Sequence, residues 1–437
     1  MEEKAIPKRI LSSLVASLSA GVVPRLGAPY IAIGRDNEVK ALLSDLNELS
    51  EGGASMRFII GRYGSGKSFL MQLMRGYALE RGYVTCDCDL SPERRLCGTS
   101  GSGIATYREL VKNMAIKTSP DGGALPIIIS KWLSSIQSTV AASGISPDSR
   151  EFAEKVSASV YANLKGLQSC VGGFDFSYVL SEYFKASLSG DEFRQSCCIK
   201  WLRGEYTTKT DAKQELKVSS IINDDNWYDY IKLWTEFTRN TGYKGFVLFI
   251  DECVNLYKIS NRIGRENNYE KILSMFNDTL QGRAPGLAII FGGTGEFLED
   301  KRRGLFSYEA LRSRLADSKY VSDGKYTDLM GPVIRLRPLS ANELLALISR
   351  ITKLHSMCYG IEERVSDENM VDFLKSATDR VGSDSMLTPR EIIRDYLSVL
   401  SILMQNPDVT FEMAIGKAEA EKPKEEKDIF DLNDIEI

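Results

Sequence analysis

The run Gly61-Arg62-Tyr63-Gly64-Ser65-Gly66-Lys67-Ser68 satisfies every specified position of the phosphate-loop pattern G-x-x-x-x-G-K-S. Glycines let a backbone wrap closely round phosphates, with its N–H groups and the following helix N-terminus pointing at them. Gly61, Gly64, Ser65, Gly66, Lys67 and Ser68 are therefore expected to hold a nucleoside triphosphate, ATP. Lys67 would reach the β and γ phosphates, and the Ser68 hydroxyl would be a ligand of Mg²⁺. The plainer alternative, a glycine turn with a surface lysine, fits poorly. A strand-like run, Arg57-Phe58-Ile59-Ile60, precedes the loop, and a helix-like run, Phe69 to Met74, follows it.

Phe246-Val247-Leu248-Phe249-Ile250-Asp251-Glu252 is an apolar run ending in two carboxylates. Such a run reads as a buried parallel strand, whose carboxyl end is where open α/β sheets place their ligands. Asp251 is expected to hold Mg²⁺ through water, and Glu252 to orient and deprotonate the attacking water. By itself the run also fits a core strand that ends in two solvated acids. A third strand-like run, Leu287 to Phe291, leads into Gly292-Gly293-Thr294-Gly295. In this order Thr294 is the polar residue expected between the acidic pair and the γ-phosphate, against the alternative of a plain glycine turn.

These residues need an α/β core to position them, and the spacing adds something to it. The segment from Ser68 to Phe246 is far longer than the nucleotide core requires. Tyr83 to Leu90 reads as the next strand and Tyr107 to Ile116 as a helix, so an insertion begins near Leu125-Pro126. From Ile127 to about Lys217 apolar residues recur at helical spacing, broken by Ser/Gly clusters such as 142–147. Trp227, Tyr230, Ile231 and Trp234 form a stripe leading back to the acidic strand, expected to pack as core rather than to stack on bases. The expected organisation is 1–124 as an N-terminal segment and first part of the core, 125–240 as the helical insertion and 241–337 as the second part of the core. Residues 338–416 would form a helical lid, and 417–437 a charged linker and acidic tail.

Composition bounds the function. The chain has 437 residues, 43% hydrophobic and 26% charged, ordinary for a globular protein that folds without metal or disulfide staples. Its 55 Lys and Arg nearly balance 59 Asp and Glu, so it carries no global basic field for nucleic acid. Local clusters exist at Arg262 and Arg265 and at Lys301-Arg302-Arg303, read either as a face for DNA backbone or as solvated surface. His355 is the only histidine, which excludes Cys/His metal spacing and argues against histidine-based catalysis. The eight cysteines are scattered and read as reduced, packed thiols. The first residues hold no apolar signal core and no run is long enough to span a bilayer, so a cytoplasmic location is expected.

With these motifs in place the chain resembles the AAA+ class of ATPases, particularly the branch of origin-recognition and Cdc6-type initiators. The resemblance implies that Ile33-Gly34-Arg35, followed by Glu38, passes the adenine, and that Thr294 is the first sensor. In Tyr308 to Leu315 it implies that Arg314, with Arg312 as runner-up, reaches the γ-phosphate of a neighbouring subunit. Ser340 onward resembles entry into the lid. There Thr388-Pro389 is a plausible helix start, and Arg390 resembles the second sensor, which contacts phosphate. Each of these arginines also fits a surface cation or a salt-bridge partner.

A closer resemblance spans nearly the whole chain. Gly21-Val22-Val23-Pro24, Asp89 to Arg95, Trp201 to Glu205, Gly242 to Gly245, Gly293 to Leu298 and Thr388 to Arg394 are similar to the ATP-binding proteins of bacterial BREX phage-defence systems, the BrxD-like family. The resemblance implies an ATPase acting beside other defence proteins, commonly a helicase-like partner; the function expected is an ATP-driven homo-oligomer that engages such a partner or DNA without sequence specificity. The alternative is a nucleotide-gated scaffold that recruits an effector with little hydrolysis. No winged-helix pattern follows the lid. The tail Asp428 to Ile437, acidic with alternating large apolar residues, is read as a docking segment or a frayed end.

Overall fold

The apolar runs ending at Ile60, Asp251 and Gly293 form strands buried on both faces, as a parallel sheet flanked by helices requires. The computed structural model describes residues 6–98, 101–317, 328–381 (378–381 as backbone only) and 388–416; the linker and tail from 417 lie outside them. Among the described residues β1 (Ser55–Ile60), β2 (Val84–Asp89), β3 (Phe246–Asp251), β4 (Leu287–Gly293) and β5 (Val333–Arg335) form one parallel sheet in the order β2-β3-β4-β1-β5. The fold is thus α/β, as expected, and fits a P-loop ATPase core with helical additions. Register pairs Ile60 with Gly293, Ile250 with Phe291 and Asp89 with Asp251. The carboxyl ends of β1, β4, β3 and β2 therefore lie side by side along one edge.

Contacts divide the chain into two units, 34–338 and, in the other, residues up to 33 with those from 339 onward. In the first unit α2 (Asp36–Ser50) and α3 (Lys67–Glu80) pack beside the sheet, and α4 (Ser102–Lys112) lies against β2. Between α4 and β3 come α5 (Leu125–Ala142), α6 (Arg150–Lys165), α7 (Gly173–Ser189), α8 (Glu192–Leu202), α9 (Lys209–Leu216) and α10 (Trp227–Asn240). The side chains of Ser149, Asp191 and Thr208 cap α6, α8 and α9. After β3 follow α11 (Val254–Tyr257) and α12 (Arg262–Leu280), and after β4, α13 (Gly295–Glu299) and α14 (Glu309–Leu315).

The aromatic stripe of α10 is core. Trp227, Tyr230, Ile231 and Trp234 are almost wholly buried, Phe176 of α7 meets the Trp234 ring edge-on at 4.9 Å, and Trp132 of α5 meets Phe237 at 5.2 Å. Three indole N–H groups in this region have acceptors: Trp227 the Leu96 carbonyl at 3.0 Å, Trp234 the Tyr107 hydroxyl at 3.0 Å, and Trp201 the Ser220 carbonyl at 2.9 Å. Large apolar area is buried with these three indole donors satisfied, although the buried Tyr228 hydroxyl on α10 has no hydrogen-bond partner. One continuous apolar cluster joins α5–α10 to the sheet.

In the second unit α1 (Lys8–Ser19) packs on α15 (Ala341–Tyr359) and α17 (Pro389–Gln405), with α16 (Asp367–Val381) and α18 (Phe411–Ala414) completing the bundle. Ser340 with Glu343, and Thr388 with Glu391, form capping boxes, and Pro389 takes the first helical position of α17. Inside, Thr352 and Tyr396 share a buried hydroxyl hydrogen bond of 2.6 Å.

Candidate functional site

The loop after β1 is shaped by its glycines. Gly64 and Gly66 sit at φ +76° and +93°, where a side chain would be strained. A Cβ on Gly61 would lie 2.4 Å from Ser65 Oγ. That Oγ is itself buried with no protein partner, an orphaned donor within the loop. Lys67 and Ser68 open α3, so the helix N-terminus faces the loop. The Lys67 ammonium donates to the carbonyls of Gly61 and Arg62, both at 3.0 Å, and the chain is thereby cradled by its own lysine.

Ser68 and Asp251 stand 183 residues apart in sequence, yet the Ser68 hydroxyl donates to Asp251 Oδ2 at 2.5 Å. Asp251 is 8% exposed, and its Oδ1 accepts the Glu252 N–H at 2.8 Å. Gly292 on β4 makes room for this carboxylate, since a Cβ there would fall 2.2 Å from Asp251 Oδ1. Glu252 is exposed and adopts φ +56°, a left-handed conformation costly for a residue with a side chain. The strand therefore ends in a strained turn that keeps one acid inside and puts the next outside.

The glycines after Phe291 do not make a turn. β4 continues through Gly293, where a Cβ would strike Phe297, and Thr294 then caps α13, accepting the Phe297 N–H at 3.4 Å. Thr294 lines an open depression with Arg62, Tyr63, Glu296 and Glu299. The Glu296 carboxyl is held below its ordinary range by its own backbone N–H and the Thr294 hydroxyl, then by the charges of Arg62 and Lys67. Asp89 ends β2 opposite Asp251, and its carboxyl is raised by desolvation and by the negative charges of Asp251, Glu252 and Asp87. Neither Glu296 nor Asp89 was singled out for a role from sequence. For Asp89 the available signal was an acid at a strand tip.

The arginines fall in different places. Arg35, 4% exposed, donates to the carbonyls of Ser65 at 3.0 Å and Arg337 at 2.9 Å, and pairs with Glu38 at 3.4 Å. Gly34, at φ +71°, belongs to the same unit, whereas Ile33 belongs to the other. Arg314 is exposed on α14 and donates to its own helix at Ala310, 2.6 Å away, while Arg312 pairs with Glu309 at 3.3 Å. Arg390 is exposed at the second position of α17, in the unit that does not carry the loop. The basic clusters are partly internal. Arg265 is buried and donates to the Ile259 carbonyl at 2.8 Å, Arg303 reaches the same carbonyl at 3.3 Å, and Arg262 pairs with Glu266 at 2.7 Å. Lys301 and Arg302 remain exposed.

Five of the eight thiols are buried, and Cys170 is exposed. Burial pushes Cys88 and Cys198 up to about 12, and no group of His, Cys, Asp and Glu suited to a metal ion occurs among the described residues. No helix among them is long and apolar enough to cross a membrane.

No curated protein matches the chain. A family model described as BREX system ATP-binding protein BrxC/D matches residues 6–419, which takes in the phosphate loop, both acids, the insertion and the helical unit. The chain therefore belongs to the BrxC/D family of BREX system ATP-binding proteins.

Proposed function

We propose that this BREX ATP-binding protein is an ATP-hydrolysing enzyme of the AAA+ type, and that the cleft between the loop and the tips of β3 and β4 is its catalytic site. The Ser68–Asp251 hydrogen bond carries the reading, because it joins the helix that follows the phosphate loop to the acidic strand tip at 2.5 Å. Both offer hard oxygen donors, so their chemistry fits Mg²⁺, which Ser68 would hold directly and Asp251 through water. When bound, the ion neutralises charge on the phosphate oxygens. Lys67 leaves the Gly61 and Arg62 carbonyls for the β and γ phosphates, and the backbone N–H groups of Gly64 to Ser68 hold the oxygens. Glu252, exposed beside Asp251, orients the attacking water and takes its proton. Thr294 positions the terminal phosphate from the tip of β4. Gly34 and Arg35 support the loop, and Ile33 belongs to the segment passing the adenine.

Arg314, exposed and unburdened by an acidic partner within its own helix, fits a residue that acts on the ATP of a neighbouring copy, so the active form is a homo-oligomer. Arg390, in the helical unit, is the candidate second sensor. Hydrolysis then changes the grip of the assembly on DNA, through Lys301 and Arg302, or on a helicase-like defence partner. The experiment is phosphate release with Mg²⁺·ATP, with and without double-stranded DNA, on the wild type and Glu252→Gln. The variant is expected to bind ATP as tightly as the wild type and to lose about 10²- to 10⁴-fold in turnover. Wild-type turnover in Glu252→Gln refutes the assignment.

A further inference from the structure

We propose that Arg35 is a positioning residue that ties the phosphate loop to both points where the chain passes between its two units; this rests on residues 61–68 being the ATP site. The crossings fall at 33/34 and 338/339. Arg35 lies just after the first, and the carbonyl it grips on Arg337 lies just before the second. Its other acceptor, Ser65 O at 3.0 Å, is inside the loop. One buried guanidinium thus joins three separate stretches of chain, with Glu38 at 3.4 Å balancing its charge. Neighbouring contacts tighten the junction. Leu336 N–H donates to Ile60 O at 2.8 Å, and a Cβ on Gly61 would touch Leu336 Cβ at 3.3 Å.

The grip on Ser65 O has a direct consequence for phosphate binding. A trans peptide is planar and its C=O and N–H point in opposite directions. Holding the Ser65 carbonyl toward Arg35 therefore holds the Gly66 N–H on the far side of that peptide, the direction from which a loop N–H meets phosphate. When phosphate pulls on Gly66 N–H, the same peptide pulls on Arg35 and through it on Arg337. A lysine keeps the charge but has no planar fork to span two carbonyls.

The test uses the full chain. A fluorescent ATP analogue is titrated into the wild type, Arg35→Ala and Arg35→Lys, and amide exchange is followed with and without ATP. The wild type is expected to gain protection at the loop and at both crossings. Arg35→Ala loses about 30-fold or more in affinity, as the charged donor's two hydrogen bonds to main-chain carbonyls are lost. Arg35→Lys, which serves should the alanine variant fail to fold, keeps protection at the loop and loses it at the crossings. Wild-type protection at both crossings in Arg35→Lys overturns the proposal alone. A wild type that binds no ATP overturns the site reading and this proposal with it.

Discussion

Gly292→Ala is the sharpest probe of the packing around Asp251. The new Cβ would lie 2.2 Å from Asp251 Oδ1, 3.0 Å from Cγ and 2.9 Å from Met71 Sδ, where ordinary contact begins at 3.4 Å. The carboxylate has to retreat by about 1 Å, well beyond what an off-rotamer torsion absorbs without strain. Its two hydrogen bonds, from Ser68 at 2.5 Å and from Glu252 N–H at 2.8 Å, are stretched or broken. Hydrogen bonds to a charged group contribute about 1.5–3 kcal/mol each, and water recovers part of that, so about 2–4 kcal/mol of stability should be lost. A misplacement of about 1 Å at a reacting centre costs on the order of 100-fold in rate. The assay is phosphate release at saturating Mg²⁺·ATP, normalised to folded protein by thermal melting. Gly293→Ala is the control. Its Cβ meets Phe297 at 2.5 Å and Ile60 at 3.4 Å, so it should lose stability while turnover per folded molecule stays near wild type. Wild-type turnover per folded molecule in Gly292→Ala would refute the claim that this glycine exists to seat the carboxylate.

Arg314→Ala removes an exposed side chain bonded to its own helix, so the melting temperature should barely move, within about 0.5 kcal/mol of stability. Turnover should fall about 10³-fold, and mixing with Lys67→Ala subunits should restore part of it, since those supply the arginine in trans; a mixture no more active than its parts sinks the composite site. His355 is 2% exposed with Nε2 unpartnered, and burial lowers its pKa in the folded chain. The unfolded chain, titrating near about 6.5, takes up the proton first, so stability present at neutral pH drains away as pH falls below that value. Melting curves at pH 7.5 and 5 should show a larger acid loss for wild type than for His355→Leu, and equal losses would contradict the linkage.

The chemistry of this chain was legible where it is local. The loop, the acidic pair and the strands that bear them announce themselves by consecutive residues, because phosphate binding and parallel-strand burial both impose short patterns. The aromatic stripe at 227–234 was read as core from spacing alone. Other features depend on partners far away in sequence and left no such trace. Arg35 looks like part of an adenine-passing segment until its guanidinium is found on the Ser65 carbonyl. Gly292 looks like a turn residue until Asp251 is seen against it. Arg265 counts as basic surface in a composition and is internal in three dimensions. The N-terminal helix α1 carries no motif of its own, and its packing on α15 and α17 depends on residues far along the chain. In each instance only the distant partner gave the residue its use.

The sheet order also sets a schedule for the ribosome. β2 pairs in the sheet with β3, and β1 lies between β4 and β5, so neither of the two strands made first is a partner of the other. After Asp89 is translated, the whole of α5–α10 must emerge before Phe246 appears. At about 5–20 residues per second that wait is on the order of ten seconds or longer. Throughout it the apolar edges of Met56 to Ile60 and Val84 to Cys88 have no strand to receive them. A nascent chain of this design depends on its helices condensing early, or on a chaperone, to keep two half-made edges from pairing with the wrong chain.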